Sequence, residues 1–172
     1  MTGLFIIRRS PAMLSLILSA AAAAAPVPAT SNASGTVAVL RPLTILKKSD
    51  MDFGKLVVSG AGTAVINPVS GALTTTGLVT HVGPAAAPAV FTTTGSRTSN
   101  VHLRIPPNPI TLTRVGGTQT MTVSAWTLDG NSNRKIPATS AFDFAVGATL
   151  TVAAGQAEGT YLGTFDVTVQ YP

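Results

Sequence analysis

The chain has 172 residues, 11 lysines and arginines, 6 aspartates and glutamates, and a formal net charge of +5. It has no cysteine, which excludes disulfides, thiolate metal sites, cysteine nucleophiles and a cysteine-linked lipid anchor. Charged residues make up only 10% of the chain, and its cations are scattered without aromatic neighbours, which argues against nucleic-acid binding.

The N-terminal stretch carries Arg8 and Arg9, then an apolar run over residues 12–18, then alanines over 20–25. That order of charge, apolar core and small residues is the pattern of a secretory signal peptide, and it is too short to span a membrane. A cut before Pro26 would leave proline directly after it, so Ala24 or Ala29 is the expected last residue of the signal. Ser10-Pro11 after the arginine pair favours the general secretory route over twin-arginine export. The expected organisation is a signal peptide over 1–29 and one β-sandwich domain over 30–172, with no transmembrane segment in the mature chain. Loss of Arg8 and Arg9 leaves nine cations against six anions, a net charge of +3.

Beyond the signal, helical periodicity is nearly absent. Threonine, valine and glycine dominate, and turn residues recur every ten or so positions. The expected strands run over 37–48, 53–58, 64–67, 73–82, 89–94, 100–105, 109–114, 119–126, 141–152 and 160–171. Pro42 lacks an N–H and places the first strand at a sheet edge or breaks it in two. Val101, Leu103 and Ile105 alternate with Asn100, His102 and Arg104. Met121, Val123 and Ala125 alternate with Thr120, Thr122 and Ser124. Each pattern predicts one buried and one wet face. Phe142, Phe144 and Val146 continue past Gly147 into Leu150 and Val152, so the glycine marks a bulge or bend where one long strand changes sheet. In the closing stretch Tyr161, Phe165, Val167, Val169 and Tyr171 alternate with Thr164, Asp166, Thr168 and Gln170, the pattern of a half-buried final strand. The fold class is all-β, an antiparallel sandwich.

Candidate chemistry is sparse. Asp129-Gly130-Asn131-Ser132-Asn133 places oxygens at alternate positions like the start of a calcium loop, but lacks glycine at the sixth position and a carboxylate at the twelfth, and reads as a hairpin turn. His81 and His102 are the only histidines. Neither lies in a nucleophile motif, and both read as surface residues. Asp50 and Asp52 form a carboxylate pair that reads as turn-capping. Gly60-Ala61-Gly62 lacks the third glycine and the following helix of a phosphate cradle. Trp126 is either a sugar-stacking platform or a cap on the edge of the core, and the second is preferred because large aromatics find cover in a sandwich. No catalytic, cofactor-binding or metal-ligating residue is assigned.

Leu40-Arg41-Pro42-Leu43-Thr44-Ile45 followed by Met51-Asp52-Phe53-Gly54, then the run from Phe144 to Val152, then the closing run from Gly159 to Tyr171, resemble the bacterial exported family called domain of unknown function 4402. The resemblance implies an immunoglobulin-like or pilin-like sandwich in the periplasm, on the bacterial surface or secreted, and carries over no catalytic residues. The expected role is a non-enzymatic structural or adhesive surface protein, fimbrial or otherwise part of the envelope. Its expected partners are other envelope or surface proteins, with self-association among the modes. The alternative is a monomeric carbohydrate- or ligand-binding module using Trp126 and the loop from Asp129 to Asn133. The segment before Leu40 is either a strand donated to a neighbouring copy or the first strand of its own sandwich. The weak apolar character of Ala33 and Gly35 favours the self-contained domain.

Overall fold

The computed structural model describes residues 31–172, and the expected signal peptide over 1–29 lies outside them. Residues 31–43 carry no regular secondary structure and are almost all exposed. From Ala38 to Pro172 the chain forms one compact unit of eleven strands: β1 Thr44–Ser49, β2 Lys55–Ile66, β3 Leu73–Val82, β4 Ala89–Thr94, β5 Asn100–Arg104, β6 Ile110–Arg114, β7 Thr120–Leu128, β8 Asn133–Lys135, β9 Ala141–Val152, β10 Tyr161–Leu162 and β11 Thr168–Gln170.

All pairings are antiparallel, so the all-β antiparallel architecture is established. Eight strands form one sheet in the order β1-β4-β9-β7-β6-β10, with β2 joining β9 and β3 pairing β2, while β11-β5-β8 form a second, three-stranded sheet. Val101 and Leu103 on β5 are 1% exposed, and Leu103 packs with Val169 of β11 against Ala89, Phe144 and Val146 of the larger sheet. A second cluster of Ala64, Val79, Val123, Ala148, Leu150 and Val152 lies along the other half of the larger sheet.

The axis of the molecule is β9. Its first half pairs β4, ending at Val146↔Ala89, and its second half pairs β2, starting at Thr149↔Val65. Gly147 sits at the hand-over, where a Cβ would lie 2.3 Å from the Ile66 carbonyl oxygen and 2.7 Å from Pro68 Cδ. The change of sheet expected at this glycine does not occur; β9 stays in the larger sheet, with a change of partner from β4 to β2. The cause of the partner change is the close passage of the backbone leaving β2, and β9 itself runs through unbroken.

Four further sequence expectations are corrected. The strand expected over 37–48 is confined to Thr44–Ser49. Pro42 has no N–H to give a ladder, and side chains take Arg41's backbone groups: Ser96 Oγ accepts from its N–H and the Tyr171 hydroxyl donates to its carbonyl. The segments expected at 53–58 and 64–67 form one strand, β2, with a register shift between Val58 and Gly62. There Gly62 faces Gly77, whose φ of 68° and whose contact with the Ala61 carbonyl oxygen leave no room for a side chain.

In β7, a bulge between Ser124 and Thr127 carries Ala125 at a φ of 49°, which turns Ala125 outward and Trp126 inward, against the simple alternation. The closing strand expected over 160–171 is divided: Tyr161–Leu162 pairs β6 in the large sheet, and Thr168–Gln170 pairs β5 in the small one. Between β5 and β6 lie Pro106, Pro107 and Pro109, which have no N–H to offer, so the facing residues 165–167 find no ladder. The alternation survives the break, with Tyr161, Phe165, Val167, Val169 and Tyr171 half-buried and the residues between them exposed. The short strand β8 lacked a sequence signal.

On the outer face, Asp143 of β9 accepts from Lys48 Nζ at 2.7 Å and from Thr92 Oγ1, tying edge strand β1 to β9 across β4. The Lys48 hydrogen bond, then the Thr92 hydroxyl, hold the Asp143 carboxyl below its ordinary value of 3.8. A carboxylate with a depressed folded value contributes stability at pH above its unfolded value, and that contribution is lost as pH falls through the folded value. Lys48→Met is therefore expected to raise the Asp143 titration midpoint toward 3.8, followed by carboxyl-carbon NMR. An unmoved midpoint would remove Lys48 as the cause.

Candidate binding cleft

The polar groups that stood out in the sequence are engaged in local structure. In the turn between β7 and β8, Arg134 donates from Nε to the Asn131 carbonyl at 2.8 Å and from Nη2 to Asp129, so a cation occupies the position a calcium ion would need. Arg134 also lies over the rings of Phe142 and Phe144, at 5.8 and 6.0 Å. His102 Nδ1 lies 2.7 Å from Asn133 Oδ1, and the Leu103 N–H donates to the Ser132 carbonyl, fastening the same turn to β5. The Asp129–Asn133 stretch is thus a clasped turn, but not the hairpin expected, because it carries the chain from β7 in the larger sheet to β8 in the smaller one.

Asp50 accepts from Lys47 Nζ at 2.6 Å, and Asp52 Oδ1 accepts from the Gly54 N–H at 2.8 Å, capping a turn in which Gly54 has a φ of 70°. The Asp52 backbone also bridges to Ala87. The two carboxylates lie beside each other along the chain but hold different local partners. Gly60-Ala61-Gly62 is the bulge of β2. His81 is not the surface residue expected: it is half-buried against Gly54, and its Nε2 is buried without a hydrogen-bond partner. Among the described residues, no three His, Asp or Glu side chains converge into a group able to hold a metal ion.

Trp126 is half-buried, with its ring centroid 4.7 Å from that of Phe165 and its Nε1 donating to the Asn108 carbonyl at 3.1 Å. It contributes to both hydrophobic clusters, so it caps the core where they meet, as the preferred reading expected. Its ring is thereby engaged within the fold and does not form a free stacking platform.

The feature that sequence reasoning missed is an open cleft of about 1020 Å³ on the larger sheet. One wall is the stretch 50–58, entering β2, and the other is the stretch 156–165, carrying β10. The floor is apolar, made by Leu112, Met121, Val123 and Leu150 from β6, β7 and β9. Residues 55–58 of β2 are bonded to β3, and the pairing of β2 with β9 begins only at Gly62, so the second edge of 55–58 carries no ladder. Strand β10 pairs β6 on one edge and no strand on the other. Tyr161 stiffens this second wall: its hydroxyl donates to the Ala157 carbonyl at 2.7 Å and accepts from Gln156 Nε2 at 2.7 Å. Two unpaired strand edges therefore face an apolar floor, an arrangement suited to receiving an extended peptide. Leu56 and Val58 do alternate in the sequence, but which strand edges stay unpaired is decided by partners far along the chain.

The profile of the family described as Domain of unknown function (DUF4402) matches residues 43–171, a span that contains all eleven strands, and the chain belongs to that family. No curated protein and no solved structure gives a match to this chain.

Proposed function

We propose, taking membership of the DUF4402 family as the premise, that the chain is an exported, non-enzymatic structural or adhesive component of a bacterial cell surface or envelope. The observation that carries this reading is how the polar groups and the strand edges are used. Arg134 clasps Asp129, Asn133 holds His102, Lys47 holds Asp50 and Asp52 caps Gly54, while strand edges along the cleft are left for another chain. The signal-like order of Arg8, Arg9, the apolar run and the alanines supports export. An exported domain without cysteine draws its stability from packing and sheet hydrogen bonds, and the two apolar clusters on either half of β9 supply that packing.

The test is expression of the full chain with a C-terminal epitope in a bacterium, followed by N-terminal sequencing, cell fractionation and protease treatment of intact cells. The expected product begins at residue 25 or 30 and lies in the envelope, at the surface or in the medium. An unprocessed product in the cytoplasm would overturn the reading.

A further inference from the structure

We propose that the cleft is a strand-acceptor site, and that its occupant is the segment 33–40 of a second copy of the same chain. The inference deepens the surface-protein reading, because it supplies the contact by which copies would join head to tail.

The acceptor has what an added strand requires. On one side, the free edge of 55–58 offers backbone N–H and C=O groups that no ladder uses, and on the other the outer edge of β10 does the same. Among the described residues, no backbone hydrogen bond outside the strand ladders joins these two walls. Between them the half-buried side chains of Leu112 and Met121 form floor that an inserted strand would cover. An unpaired strand edge beside an apolar surface is a template for another strand, and such edges are normally blunted or covered.

The donor is also visible. Residues 31–40 contain no charged side chain, so burying them brings no unpaired charge into an apolar site. In extended conformation Ala33, Gly35, Val37 and Val39 fall on one face, and Val37 and Val39 are 86% and 90% exposed. Eight residues of strand reach about 26 Å, which exceeds the roughly 13 Å of the acceptor edge over 55–58. The self-contained alternative, in which this segment is the first strand of its own sandwich, does not match the strand-free course of 31–43.

A second copy is favoured over the chain's own segment by the connection at Arg41. Both backbone groups of Arg41 are held, its N–H by Ser96 Oγ and its carbonyl by the Tyr171 hydroxyl, and Pro42 restricts it to extended geometry. The chain then runs the whole of β1 before reaching Asp50, where the first cleft wall begins. To fill its own cleft the segment would have to reverse at this pinned, extended point. Donation to a neighbour needs no reversal. Because donor and acceptor are different surfaces, the contact does not close on itself, and copies add in a row.

The absence of native cysteine makes the test clean. The purified full chain would carry Val37→Cys together with either Val57→Cys or Leu162→Cys, one on each cleft wall, and be treated with a short thiol cross-linker. The expected result is a ladder of trimers and higher species on denaturing gels. A control pair, Val37→Cys with Val69→Cys in the exposed turn after β2, should give no such ladder. Adding Val39→Asp to either cleft pair is expected to reduce the ladder about tenfold or more, because a carboxylate would have to enter the cleft unpaired. Val39 is exposed, so the circular dichroism spectrum should not change. A ladder no stronger than the control, or one indifferent to Val39→Asp, would overturn the proposal. The readout uses purified protein and does not depend on its cellular location. A cytoplasmic product that still forms the ladder would sink the export reading alone, and an envelope protein that stays monomeric would sink this inference alone.

Discussion

Phe144→Ala is expected to destabilise the domain by about 4 kcal/mol, within the range for removing a buried phenylalanine and leaving a cavity. Phe144 is 1% exposed in the first half of β9, its ring stacked on Phe91 at a centroid distance of 5.4 Å and packed with Leu103 from the opposite sheet. Removing it would strip contacts from both sheets at once and leave the Arg134 guanidinium over an empty site. Phe165→Ala is expected to cost about half as much, because Phe165 is half-buried, though it touches Trp126 and Phe91. Thr164→Ala, at an exposed neighbouring position, should stay within about 0.5 kcal/mol. Chemical denaturation with unchanged slope would measure all three. Near-equal midpoints for the Phe165 and Thr164 variants would show that the faces of the closing segment are assigned wrongly.

Gly147→Ala is expected to cost about 3 kcal/mol, which places it among the severe single substitutions, although it adds only one methyl group. The added carbon would sit 2.3 Å from a backbone oxygen at Ile66, and the nearest other atoms belong to Pro68, so no flexible side chain can move aside. Relief would require either β9 or the end of β2 to shift, and that would loosen the pairing of β2 with the second half of β9. Hydrogen exchange should therefore show faster exchange at 62–65 and 149–152 than at β4. Protection unchanged from the parent chain at those positions, with an unaltered denaturation midpoint, would refute the steric account.

Much of the architecture is carried by local pattern. The segments 73–82, 89–94 and 141–152 form strands with the expected bounds, because each is rich in valine, threonine, phenylalanine or leucine and is set off by turn residues. The burial alternation of the closing segment also holds from Phe165 to Tyr171, since side-chain parity survives even where the ladder fails. Trp126 shows the limit. Parity places it outward, yet the bulge at Ala125 turns it into the junction of the two clusters, and no residue at 124–127 announces a bulge.

The sequence alone determined the all-β class, the antiparallel alternation, the special status of Gly147 and the engagement of Asp52 in a turn, because these depend on side-chain period and backbone freedom within a few residues. It also determined the absence of disulfides. Only the tertiary structure decided that the closing strand serves two sheets, that 31–43 stays out of the ladder, and that 55–58 and β10 leave their outer edges open around an apolar floor. These outcomes follow from which distant segments compete for each strand edge: prolines opposite 165–167 deny it partners, side chains of Ser96 and Tyr171 take the backbone of Arg41, and β9 accepts β2 only beyond Gly147. A strand's own residues specify its faces, whereas its edges are specified by its neighbours.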